Sequence, residues 1–318
     1  MKLLLVLSLV LTAALLLVSF ASAGELAPNE LGRVMIFEYH KIDYPEARWT
    51  RTPEHFRRDL ETLYARGYRL IGLGDLLDGR IAVAAGTTPV VLTFDDSSPG
   101  QFRYLEQNAL AEIDPNCAVG ILEAFTRVHP DFGRAAVFFV LPAADPPNRL
   151  FNQPRYEGRK LQYLASHGYE IGNHTLWHAT LGKYDEVTVR AQVAGAQQWI
   201  QRYLPDYKPR ALALPDGVYP KEVGWVRAGS AKGVAYRHDA ILRVSGGPAP
   251  SPFSRAWDPV RLPRIQALET ELRYWLTYFE RHPSERFVSD GDPSVVTVPA
   301  ALRDRLRGDL QNLRVVER

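Results

Sequence analysis

Pro89-Val90-Val91-Leu92-Thr93-Phe94-Asp95-Asp96 is the stretch whose reading decides the fold. A short, almost wholly apolar run is too brief for a helix and suits a strand covered on both faces, as in parallel sheets. Two carboxylates follow it at once, and their desolvation is costly unless they find partners. Capping a turn is the structural alternative for such a pair, because Asp satisfies free backbone amides readily.

The same pattern recurs on either side. Val34 to His40 reads as a first strand, Ala136 to Leu141 as another, and Tyr169-Glu170-Ile171-Gly172 and Ala211 to Leu214 as two more. Helical patterns lie between them. Pro53 opens one in which Phe56, Leu60, Leu63 and Tyr64 form a single apolar stripe, closed by Gly67. Leu161 to His167, Asp185 to Tyr203 and Leu268 to Arg281 read as further helices, and Gly246 to Pro263 reads as a long loop rich in Gly, Pro and Ser. Strands alternating with helices predict an α/β fold with a largely parallel sheet, here one barrel-like domain. The tail from Pro283 to Arg318 is read as an extension ending in a basic, helix-like stretch.

Composition narrows the function. The chain has 318 residues, 46 % of them hydrophobic, enough for a sizeable core. Thirty-eight Lys and Arg against 36 Asp and Glu, interspersed, offer no electrostatic case for nucleic acid. The single cysteine, Cys117, allows no intramolecular disulfide and no thiolate metal cage. Residues 1–23 differ from the rest: Lys2, an apolar run from Leu3 to Phe20, then Ala21-Ser22-Ala23. This pattern predicts an export signal, hence a secreted, periplasmic or cell-surface protein, touching a membrane only if the segment stays uncleaved.

In parallel α/β proteins reactive groups gather where strands end. The second such end carries Gly172-Asn173-His174-Thr175-Leu176-Trp177-His178, with two histidines four residues apart that can face one ion. Asp plus His plus His is a ligand set that leaves coordination positions open for water and substrate, and a second, unligated Asp beside it suits a base. The third end, Leu214-Pro215-Asp216-Gly217, supplies a rigid turn whose amides can meet an oxyanion, or a plain turn.

Thr93-Phe94-Asp95-Asp96 followed by His174-Thr175-x-x-His178-x-x-Leu181 resembles the first two signature motifs of the polysaccharide deacetylases, the NodB-homology domain or carbohydrate esterase family 4. Tyr39-His40, Gly67-Tyr68, Phe138-Phe139-Val140 and Gly168 to His174 stand where that family carries similar residues, so the resemblance spans about Val34 to Ile265. Ala213-Leu214-Pro215-Asp216-Gly217 lies on the third motif but lacks its arginine and its aromatic residue, and is similar to the variant of the poly-N-acetylglucosamine deacetylase branch.

The resemblance implies a distorted (β/α) barrel of about seven or eight units over residues 33–268, with a helical extension over 269–318. It implies a divalent metal, zinc above all, held by Asp96, His174 and His178, with Asp95 as general base. Thr175, Pro215 and Trp177 become candidate substrate contacts, the Asp216 amide an oxyanion donor, and Arg264 a substitute for the missing arginine that orients the base. Two departures stand out. Ser97-Ser98 replace a usual glycine, and about forty residues around Cys117 separate the Asp pair from the Phe138 strand. No Leu-x-Ile-His motif supplies the family's catalytic acid, leaving His238 and His282 by elimination.

The expected activity is removal of N-acetyl groups from an N-acetylated polysaccharide or cell-wall glycan by a monomeric enzyme. A glycan-binding barrel with a vestigial metal site, and an O-acetyl esterase, are the alternatives.

Overall fold

The computed structural model describes residues 26–106, 111–310 and 313–318; the apolar segment read as an export signal lies outside the described residues. Eight parallel strands form the central sheet: β1 (Met35–Tyr39), β2 (Tyr68–Leu70), β3 (Thr88–Phe94), β4 (Val137–Val140), β5 (Glu170–Asn173), β6 (Ala211–Ala213), β7 (Ala240–Leu242) and β8 (Ile265–Gln266). Their spatial order is β7-β6-β5-β4-β3-β1-β8. β2 pairs with the first half of β3, and β4 takes over that edge at Thr93↔Val137. Leu262 bridges back to Leu242 in parallel register, so the segment entering β8 reaches β7 and the sheet curls toward closure. This is the barrel-like α/β architecture that the alternation of elements implied.

Both faces are covered, which is why β1, β3 and β4 are buried at every residue. Phe37, Leu92, Phe94 and Phe138 pack outward against helices α1 (Pro53–Ala65), α3 (Ala118–Val128) and α4 (Glu157–Ser166). Ile36, Val91, Val137 and Phe139 face the other way, into a second core with Leu242 and Leu262. Strand residues alternate between faces, so Glu38 and Thr93, paired in register, turn toward this interior. Phe56, with no exposed surface, anchors α1, and truncating it to Ala costs about 3–5 kcal/mol. Gly172 lets β5 approach β4: a Cβ there would lie 2.2 Å from the Phe139 ring.

Helix boundaries follow local chemistry. Thr52 accepts from the His55 amide and Pro53 stands at the first turn, so α1 begins where the sequence indicated. The helix read over Leu161–His167 starts earlier, at Glu157, after a short turn at Pro154–Tyr156. Helices α2 (Leu73–Asp78) and α5 (Glu186–Gln201) complete the flanks.

The extension begins with α6 (Glu269–Arg281) and then departs from the helix-like reading of the tail. Arg314–Glu317 is a strand, β10, paired in parallel with β9 (Val295–Val298). β-branched residues at 295–298 and 315–316 favour that pairing, and Val296 and Val298 insert into the core facing Ile36 and Val91. Among the described residues no helix is long and apolar enough to cross a membrane.

Candidate metal centre and base

Asp96, His174 and His178 converge at the C-terminal ends of β3 and β5. His174 Nε2 lies 3.3 Å from Asp96 Oδ1, and His178 Nε2 lies 3.5 Å from the same oxygen. Three elements of local chemistry produce this. The Asn173 carboxamide oxygen accepts from the Thr175 amide at 2.9 Å, and Thr175 Oγ1 accepts from the Ala179 amide at 3.1 Å, closing the loop that aims both imidazoles inward. The His174 Nδ1–H donates to the Ala213 carbonyl at 2.8 Å, which leaves Nε2 with its lone pair toward Asp96. Asp96, Thr175 and His178 all take positive φ values, of 75°, 68° and 64°, a strain held by these bonds and concentrated at the centre.

The donor set fits a divalent cation. Asp96 Oδ1 is buried without a hydrogen-bond donor although two imidazole nitrogens surround it, an arrangement with a ligand's place among them. Two nitrogens and one carboxylate oxygen form the mixed set that zinc accepts while keeping positions open.

Asp95 stands beside this cluster but is committed elsewhere. Arg264 Nη1 donates to its Oδ1 at 2.7 Å and Nη2 to its Oδ2 at 2.6 Å, a two-pronged pairing. Burial opposes ionisation of Asp95, but the Arg264 charge and then His174 outweigh it and hold the carboxyl well below its usual range. It is therefore an ionised carboxylate at neutral pH. Burial works against a charged His174, while Asp95 and Asp96 favour it and raise its pKa; His178 is pushed down by burial and by His174.

Other sequence candidates fall in distinct places. Ser97, also at positive φ, uses its hydroxyl to accept from the Leu141 amide at 2.9 Å and donate to the Asn148 carbonyl, tying the β3 end to the β4 end. Pro215 is buried in a tight turn, and the Asp216 carboxylate accepts from Thr180 Oγ1 at 2.6 Å, so its side chain stands at the His178 side of the centre. Thr175 spends its hydroxyl on the loop, and Trp177, 48 % exposed, borders an outer groove with Leu176, Gln192 and Trp199. His238 is buried and donates to the Val226 carbonyl, and His282 ends α6 against the Tyr278 carbonyl; both are tied to their own surroundings.

His40, which the sequence shows only as standing where the family carries a similar residue, gains a place at the centre. One of its ring nitrogens lies within 4.8 Å of carboxylate oxygens of both Glu38 and Asp95. Tyr39 pairs with Phe94, so the residues that follow them, His40 and Asp95, stand at the same level on adjacent strands. Gln101 Nε2 fastens them by donating to both backbone carbonyls. Burial lowers the His40 pKa against the pull of the two aspartates. Trp49, 37 % exposed, packs its ring against His40 at a centroid distance of 4.5 Å.

The curled parallel sheet thus carries at its strand ends a two-histidine, one-carboxylate cluster with a second carboxylate, held by Arg264, beside it. The family model for polysaccharide deacetylase matches residues 83–235, which include every member of that cluster. Over that stretch the chain is similar to the polysaccharide deacetylase family. It is 28 % identical over 139 residues to a chitooligosaccharide deacetylase of Bradyrhizobium sp. (strain ANU 289), covering 44 % of this chain and 51 % of that protein. The chain thus spans about half the length of this curated relative. Among solved structures it is similar to the Streptococcus pyogenes deacetylase PplD in complex with acetate, with a TM-score of 0.57 at 17 % identity over 77 % of this chain and 97 % of that one. A Bacillus cereus polysaccharide deacetylase gives 0.54 at 18 % identity, over 77 % and 68 % of the two chains. IcaB from Ammonifex degensii gives 0.52 at 15 %, over 79 % and 99 %. At these identities the structures speak for the fold.

Proposed function

We propose that this domain hydrolyses N-acetyl groups on an amino-sugar polymer, with Asp95 as general base and His40 as proton donor to the leaving amine. The observation that carries the reading is an ionised Asp95 held by Arg264 beside, and not among, the three ligand side chains. A glycan-binding barrel has no use for a buried, oriented carboxylate there.

Asp96, His174 and His178 would hold a divalent ion, zinc by the chemistry of the donor set. When bound, such an ion supplies Lewis acidity and brings the pKa of coordinated water toward neutrality. Asp95 takes one proton from the attacking water as its oxygen bonds to the acetyl carbon. The Asp216 turn presents a backbone amide as donor to the developing oxyanion. As the C–N bond breaks, the nitrogen needs a proton, and Asp95, a weak base made acidic by Arg264, passes the one it took to His40 and so to the amine. The products are acetate and a free amino sugar, and Asp95 is again ionised.

Trp49 beside His40 and the 28 % identical chitooligosaccharide deacetylase both favour a sugar substrate. The apolar run Leu3–Phe20 supports action on an exported or cell-surface glycan. The test is acetate release from N-acetylglucosamine oligomers, with acetylated xylan as the ester comparison. Release from the amide that a chelator abolishes and zinc restores is expected; no release from any acetylated glycan by zinc-loaded protein contradicts the reading.

A further inference from the structure

Arg264 has no exposed surface, and its guanidinium carries five N–H groups. Each has one acceptor. Nε donates to the Arg243 carbonyl at 2.7 Å, and Nη1 to Thr93 Oγ1 at 3.0 Å and Asp95 Oδ1 at 2.7 Å. Nη2 donates to Asp95 Oδ2 at 2.6 Å and Glu38 Oε1 at 2.7 Å. Thr93 Oγ1 is itself fixed, donating to the Phe37 carbonyl at 2.9 Å. A fork with every donor engaged has one orientation, and Glu38 supplies the only acceptor that is neither backbone, hydroxyl nor the base itself.

We infer that Glu38 is a positioning residue for the reaction: it fixes the Arg264 fork, and through it the direction of the Asp95 carboxylate. This rests on the proposed deacetylase reading. Glu38 sits inside β1, on the interior face, with Cα partners Thr93 in β3 and Gln266 in β8, so its place is set by the sheet. Without its oxygen, one Nη2 N–H is buried and unsatisfied, and the guanidinium gains a second orientation in which Asp95 keeps one bond instead of two. A carboxylate freed to rotate spends less time aimed at the water it must deprotonate, so turnover falls while ligand geometry at Asp96, His174 and His178 is untouched.

The experiment compares Glu38→Leu, Glu38→Gln, Arg264→Lys and the Glu38→Leu/Arg264→Lys double variant, reading kcat and KM on N-acetylglucosamine oligomers and zinc per chain. Expected are a kcat lower by about 100-fold for Glu38→Leu with KM within about twofold and zinc unchanged, and recovery to within about tenfold of the wild type in Glu38→Gln, whose amide oxygen still accepts from Nη2. The double variant is expected to lose no more than Arg264→Lys alone, because both act on one fork. Glu38→Leu within about threefold of wild-type kcat, additive losses, or zinc lost along with turnover would each overturn the inference. An inactive wild type refutes the deacetylase reading instead; Glu38 is then judged by crystal structures of wild type and Glu38→Gln beside Glu38→Leu. A second Asp95 orientation confined to Glu38→Leu supports it, and an unchanged Asp95 overturns it.

Discussion

Arg264 grips both oxygens of Asp95, at 2.7 and 2.6 Å, across a separation of 169 residues. The third sequence motif lacks the arginine expected beside the base, and a guanidinium entering from the start of β8 takes that place. Removing one partner of a buried pair leaves the other charge uncompensated. Arg264→Ala is therefore expected to destabilise the protein by about 3–5 kcal/mol in urea unfolding, besides ending turnover. A loss below about 1 kcal/mol would show that Asp95 and Glu38 find other partners.

His40 lies beside the base but outside the ligand set. His40→Gln is expected to lower kcat by about 100-fold or more while zinc content stays at the wild-type level. Rescue of His40→Gly by added imidazole would support proton donation directly, and full activity in His40→Gln would remove His40 from the proton path.

Trp49 is predicted to matter for long substrates. Trp49→Ala should raise KM for an N-acetylglucosamine pentamer by about tenfold, with Trp49→Phe in between, because an indole covers apolar sugar surface, at about 25 cal/mol per Å², that Ala leaves in water. An unchanged KM places the sugar elsewhere, with exposed Trp177 the next candidate.

Glu30, buried below the extension, accepts from the Thr297 amide at 2.9 Å through Oε2. Burial raises its pKa from 4.5 to about 8, with the nearby Asp290 adding to the rise. Between those values the folded state keeps a proton that the unfolded chain has released, so this group's contribution to stability is full below pH 4.5 and is lost as pH rises toward about 8. Glu30→Gln should raise Tm at pH 8.5 more than at pH 5. An equal shift at both would mean Glu30 is ionised in the folded protein.

Much of the centre was legible because its parts are local. Asp95 and Asp96 end an apolar strand, and His174 and His178 share one loop, so each pair announces itself in a short window. Their meeting follows from β3 and β5 flanking β4. His40 and Glu38 were missed because their roles come from register. Tyr39 opposite Phe94 places His40 by Asp95, and Glu38 opposite Thr93 turns it toward Arg264. The signal was present, a lone acidic residue inside the apolar run Met35–Tyr39. The tail misled for a related reason: Arg314–Glu317 looks helical and basic alone, and becomes a strand only against Val295–Val298.

The most direct test of the account is zinc titration of Asp95→Asn alongside its acetate release. With the proposed roles, Asp95 as base and not as ligand, the variant should bind one zinc per chain with wild-type affinity and release acetate at least about 1,000-fold more slowly, whereas His178→Ala loses both properties. Wild-type turnover by Asp95→Asn, or loss of its zinc, would contradict the division of labour between Asp95 and Asp96.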